Sequence, residues 1–310
     1  MIAVLGATGF IGAALTQQLA SGDEPVRVLV RDRGKAEDRL GRFADRVEII
    51  TGDMHDPAAL DALLDGVRAV FVLVQTVTAR QPSTAGGYAD AERQAMQALV
   101  AAARRAKVRR VLTVGLIGAS PSAANPWVRS RAELTQALLD SGLDVTVLRA
   151  GLVVGIGGTG YDWLLAVVRG ESSVVLGGGG QRWSYIALSD VVGYLVDAID
   201  EPSTFGKALD VGSLETPTYS ELLSRTAVAI GRRPPRPLRL PLRLVVALAP
   251  LIERLGRLPK GGLRTAILHL GDDLIGDPLP VRALLARDLL DWEQAVAAAA
   301  VPGRLAGVAG

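Results

Sequence analysis

The run Gly6-Ala-Thr-Gly9-Phe-Ile-Gly12 lies between the apolar stretch Ile2–Leu5 and a segment, about 10–20, with the composition of a helix. In a strand–turn–helix setting each glycine has its own task. Gly6 permits the sharp turn off the strand, Gly9 lets the backbone approach a pyrophosphate, and Gly12 lets helix and strand pack closely. The helix N-terminus then offers unpaired N–H groups to phosphate. Gly6, Thr8, Gly9, Phe10, Ile11 and Gly12 are therefore candidate ligands of a dinucleotide.

A second group of chemically able residues ends the next apolar run, Val26–Val30, as Arg31-Asp32-Arg33. A carboxylate there would hold a ribose 2′-hydroxyl, as for NAD, whereas an arginine accommodates a 2′-phosphate. Arg31 stands at the discriminating position with Arg33 in support, which favours NADP(H) over NAD(H). A shift of one position would put Asp32 there, and a solvated loop of ordinary charges is the other reading.

Proton-transfer candidates are few. There is no cysteine and there are only two histidines, His55 and His269, far apart in sequence. Thiolate nucleophiles, disulfides and a His-rich metal site are thereby set aside. Tyr161 follows the glycine-rich stretch 155–160, and Tyr185 follows Arg182-Trp183. Both segments should border the cleft at the C-terminal ends of the strands, so both tyrosines are candidate proton donors; ordinary packing is the competing role for each. His55 reads as a loop residue, His269 as a packed one, and Asp272-Asp273 as a surface turn or cap.

These residues need a scaffold that aligns strand ends. Apolar runs near 2–5, 26–30, 47–51, 69–74, 108–114 and 145–148 alternate with helical stretches near 10–20, 88–106 and 129–141, and Asp56-Pro57 opens another helix. Alternation of this kind specifies right-handed crossovers and a parallel sheet. The fold class expected is α/β, a doubly wound Rossmann-like sheet with a smaller, partly helical C-terminal lobe. The expected boundary falls at the Pro- and Arg-rich stretch 231–237, giving a cofactor domain over 1–230, with substrate loops near 151–185, and a lid lobe over 231–310. Asp190 is expected to cap a short helix over 190–199, and 238–258 and 262–270 are expected to be helical.

Composition narrows the partners. With 49% hydrophobic and 21% charged residues the chain can bury a core, which excludes disorder as its main state. The 34 basic and 32 acidic side chains leave a net charge of +2, too small to argue for nucleic acid. The first apolar run has no basic segment before it, and the longest later one, 244–252, is too short for a bilayer. A cytoplasmic protein with a small-molecule substrate and no stable membrane insertion is expected.

The glycine spacing, Gly52-Asp53 after the third strand, and VTVLRAGLVVG over 145–155 resemble the atypical short-chain dehydrogenase/reductase superfamily. Within it the chain is similar to bacterial NAD(P)H-binding proteins like the complex I accessory subunit, and next to the nitrogen-metabolite-repressor-like proteins. The resemblance covers about 1–230 and implies that Asp53 and Met54 border the adenine and that Val74 and Gln75 line the cofactor. It also places the family's Ser near Val114-Gly115 and its Tyr-x-x-x-Lys on Trp127 to Arg131. Trp127 cannot protonate an alkoxide, and Arg131 could bind ribose or phosphate but cannot shuttle a proton. The resemblance thus implies an NADP(H)-dependent oxidoreductase acting on a quinone, enone or other activated carbonyl. A non-catalytic NAD(P)H-binding sensor or structural protein is the alternative.

Overall fold

The computed structural model describes residues 1–74, 85–123, 125–172, 174–240, 247 and 271–300. Gln75, His269, the helix expected over 262–270 and nearly all of 241–258 fall outside them. The strands are β1 (Ile2–Leu5), β2 (Val26–Val30), β3 (Val47–Thr51), β4 (Ala69–Val72), β5 (Arg110–Leu116) and β6 (Asp144–Ala150). They continue with β7 (Leu152–Val154), β8 (Val174–Leu176), β9 (Tyr185–Ala187), β10 (Lys207–Val211) and β11 (Leu238–Leu240). The helices are α1 (Phe10–Ser21), α2 (Arg33–Leu40), α3 (Pro57–Leu64), α4 (Ala85–Arg105) and α5 (Pro126–Leu139). After them come α6 (Thr159–Arg169), α7 (Leu188–Asp197), α8 (Tyr219–Ala229), α9 (Leu279–Leu284) and α10 (Trp292–Ala300).

Seven strands pair in parallel in the order β10-β6-β5-β4-β1-β2-β3. The doubly wound Rossmann-like sheet expected from the sequence is what the chain forms. Burial follows position in the sheet. All four residues of β1 and of β4 are buried, because helices cover both faces of the central strands. Edge strand β3 alternates at its start, Val47 buried, Glu48 exposed and Ile49 buried. One core packs α1, α7 and α9 on the first face, with Leu15, Val28, Phe71, Leu148 and Tyr194. A second packs α3, α4 and α5 on the other, with Leu5, Leu60, Leu99 and Val147. Strand order reverses between β1 and β4, which opens a crevice at their C-terminal ends.

A third core builds the smaller lobe from Leu152, Tyr161, Leu164, Trp183, Tyr185, Leu222, Leu274 and Trp292. It draws on residues at both sides of the boundary expected near 230. Two expectations are corrected. Leu238–Leu240 is a strand paired with β8, not the start of a helix. Ala187 is the N-cap of α7, and Asp190 sits in the first turn with its carboxylate accepting the Leu290 amide at 2.9 Å. Asp56 does cap α3, accepting from the Ala58 amide, with Pro57 at the first helical position. Among the described residues no helix is long and apolar enough to cross a membrane.

Candidate cofactor and substrate site

The first turn after β1 is fixed by backbone contacts. Gly6 has φ +91°, and a Cβ there would lie 2.7 Å from the Leu73 carbonyl carbon and 2.9 Å from the Val74 nitrogen. A Cβ on Gly12 would lie 2.0 Å from the Gly6 oxygen. Gly9 is different. Its φ of −77° suits any residue, its amide donates to the Gly6 carbonyl at 2.9 Å, and a Cβ would meet only that oxygen, at 3.2 Å. Gly9 is exposed and Thr8, Phe10 and Ile11 are half-buried around it. Helix α1 has no side-chain cap and no acidic residue in its first turn. Its opening amides and positive dipole end thus face outward without a carboxylate to satisfy them, as a phosphate site requires. The residues present fit a dinucleotide pyrophosphate.

At the end of β2 the three charged side chains take three different roles. Asp32 is the N-cap of α2, its carboxylate accepting the Lys35 amide at 3.0 Å. Arg33 donates to the Ile49 carbonyl at 2.5 Å and stands 3.5 Å from Glu37, so it braces β3 instead of supporting Arg31. Arg31 is exposed and has no hydrogen bond or ion pair among the described residues. Farther along the strand ends, Asp53 accepts the His55 amide at 2.9 Å through Oδ1. Met54 is buried in the second core, where its side chain packs. Val74 is half-buried against the same core and closes on Gly6.

The candidate proton donors lie in the smaller lobe. Tyr161 and Tyr185 are 1% and 2% exposed, inside the third core, with Trp292 edge-on to both at 6.4 and 5.0 Å. Burial pushes the Tyr161 phenol up to about 12. Burial also raises that of Tyr185, and its hydroxyl donates to the Glu215 carboxylate, which raises it further. A proton donor near neutral pH needs the opposite shift, so packing gives these phenols a structural task. Arg131 of α5 forms an ion pair with the buried Glu92 of α4. The pair links the two helices. Val114 packs toward the first core.

Three features escaped the sequence reading. Arg149, near the end of β6, pairs through Nε with Asp210 of β10 at 2.6 Å. Asp210 also accepts the Asp277 amide at 3.0 Å. Third, the ring of Phe10 lies against the glycine loop after β7, where a Cβ on Gly155 or Gly158 would come within 3.0 or 2.7 Å of it. A charged residue inside each of the apolar runs DVTVLRA and KALDV was the available signal for the ion pair.

The chain is similar to known proteins in sequence and in fold. The NAD(P)H azoreductase of Xenophilus azovorans is 29% identical over 236 residues, covering 75% of this chain and 74% of that protein. Subunit 9 of the NADH dehydrogenase [ubiquinone] 1 alpha subcomplex of Arabidopsis thaliana, a mitochondrial protein, is 25% identical over 249 residues, 79% of this chain; the match spans only 61% of that protein. The NADPH complex of the quinone oxidoreductase QOR2 from Escherichia coli has the same fold, with a TM-score of 0.74, 20% identity and coverage of 96% and 99%. The family described as NAD(P)H-binding matches residues 6–202, from the phosphate turn to the 3-10 turn before β10. By that match over most of its sheet, the chain belongs to the NAD(P)H-binding family, within the atypical short-chain dehydrogenase/reductase superfamily.

Proposed function

We propose that this chain is an NADPH-dependent reductase of a small activated carbonyl, an enone or a quinone. The observation that carries the cofactor half is the division of labour after β2: Asp32 is consumed as a helix cap while Arg31 is left exposed, with no hydrogen bond or ion pair among the described residues. An available guanidinium favours a 2′-phosphate, and a carboxylate already accepting an amide is a poorer partner for a 2′-hydroxyl. Cofactor bound on the α1 N-terminus supplies hydride; the chain orients it and shapes the substrate lobe around the crevice. The names of the azoreductase and of QOR2 support reduction of conjugated acceptors. So do the burial of Tyr161 and Tyr185 and the absence of a Tyr/Lys pair at Trp127 and Arg131. Such acceptors yield stabilised anions and depend least on a general acid.

Calorimetric titration tests the cofactor half. NADPH should bind more tightly than NADH, and Arg31→Ala should weaken NADPH about ten- to a hundredfold while leaving NADH unchanged, the loss of one charge-assisted contact. Equal affinities in the wild type would overturn the preference. For the chemistry, NADPH absorbance should fall with a quinone or an enone before it falls with an unactivated ketone. The acid-free site also favours a binding-only role; tight NADPH binding with no turnover of any acceptor would establish that reading instead.

A further inference from the structure

The end of β5 carries a bare face. Gly115 pairs in register with Arg149 of β6, and a Cβ on it would meet Val147 Cγ1 at 3.0 Å, Arg149 Cγ at 3.2 Å and Thr135 Oγ1 at 3.6 Å. All three lie on the α5 side of the sheet, so the missing side chain leaves room for the arginine stem. Asp210, 13% exposed, holds the guanidinium by its Nε edge, and the Asp277 amide holds Asp210 in turn. Arg149 remains 34% exposed, and its two Nη groups make no hydrogen bond among the described residues. One edge of the fork is fixed and the other is open, near the C-terminal end of β6, on the same edge of the parallel sheet as the crevice between β1 and β4.

The geometry points to Arg149 as the residue that receives the negative oxygen of the substrate as the hydride arrives. This inference rests on the reductase reading above and deepens it. When hydride adds to the β-carbon of an enone, the carbon–carbon double-bond electrons move to form an enolate, and the charge collects on oxygen. A guanidinium can donate hydrogen bonds to that oxygen without giving up a proton, which then comes from water. The site therefore stabilises the anion by charge, and it selects acceptors whose product anion persists long enough to be protonated by solvent.

The test uses the full chain loaded with NADP+ and 4-nitrophenol as the probe, because its phenolate mimics such an oxyanion and is read by absorbance. The bound phenol should ionise at least one pH unit lower than the free one, a tenfold preference for the anion. Arg149→Met should abolish that preference and Arg149→Lys should keep part of it. Because Arg149→Met leaves Asp210 buried without its partner, the double variant Arg149→Met/Asp210→Leu is run beside it; it should bind NADP+ normally and show no preference. A wild-type phenol that ionises as in free solution, or a double variant that retains the preference, overturns the inference. NADPH titration of the same samples separates this from the reductase reading. Failure to bind NADPH defeats that reading, whereas NADPH binding without an anion preference defeats only Arg149.

Discussion

The cofactor end and the substrate end of this molecule are both shaped by glycines, but what those glycines touch is different. At the phosphate turn the would-be side chains strike backbone: 2.7 Å at Gly6 and 2.0 Å at Gly12. At three glycines near the smaller lobe they meet side chains, the Phe10 ring at Gly155 and Gly158 and the Arg149 stem at Gly115, whereas Gly151 strikes the Ser184 carbonyl oxygen at 2.3 Å. Backbone pinned in a parallel sheet cannot step aside, while a ring or an arginine stem can change rotamer. The same residue type therefore marks a fixed geometry at the phosphate turn and at Gly151, and an adjustable one at Gly115, Gly155 and Gly158. An architecture of this kind keeps one cofactor and varies the acceptor.

The sharpest way to break this comparison is Gly12→Ala. Its Cβ has no space against the Gly6 oxygen, so the variant should lose about 3 kcal/mol or more of stability, seen in thermal unfolding. A melting temperature near wild type would mean that the turn is as adaptable as the substrate end. Gly9→Val sharpens the contrast, because Gly9 has an ordinary backbone and an open outer face. Its fold should persist while NADPH binding falls below detection by calorimetry; retained affinity would place the pyrophosphate elsewhere.

Gly158→Ala should cost less, about 1 kcal/mol, because its Cβ meets two atoms of the Phe10 ring, at 2.7 and 2.9 Å, and the Gly155 oxygen at 3.2 Å. Combining it with Phe10→Leu should return part of that loss, and strict additivity in the double-mutant cycle would show that the ring is not what gives way.

The smallest effect belongs to a region remote from both ends. Arg68 hydrogen-bonds Glu24 and holds its carboxyl down at about 2, with the N-terminal amine at 2.9 Å and Asp200 completing the network. A depressed folded value means stabilisation that is present above the ordinary carboxylate range and is lost as pH falls toward 2. Solvent screens this partly exposed group, so Glu24→Gln should remove under about 1 kcal/mol at pH 7. It should also flatten the acid limb of a denaturation series and leave NADPH affinity unchanged.

Much of this was legible because it is local. The strand–turn–helix glycines, the alternation of apolar runs with helices, and the Asp56-Pro57 start of α3 each depend on neighbours a few residues away. Within the block Arg31-Asp32-Arg33 the sequence left the assignment open. Only the Lys35 amide on Asp32 and the Ile49 carbonyl under Arg33 sorted the three charges. For Tyr161 and Tyr185 the sequence left packing and proton donation side by side. Their chain positions, after the glycine-rich stretch 155–160 and after Arg182-Trp183, say nothing of Trp292, more than 100 residues later, which packs against both.

Two arginines show where the limit falls. Arg110 and Arg149 both sit in apolar strands of the same sheet, and as letters they are equivalent. Arg110 is 6% exposed, donates to the Ile199 carbonyl at 2.9 Å and the Asp144 carbonyl at 2.7 Å, and stacks on Phe205 at 4.2 Å. Arg149 is held at one edge by Asp210 and open at the other. The sequence by itself determined that a parallel sheet would form and that a phosphate turn would open its first crossover, since backbone conformation and short-range periodicity encode both. Which charge became an internal staple and which kept an open edge was decided only by the tertiary structure, because the groups that satisfy a guanidinium arrive from strands and loops far along the chain.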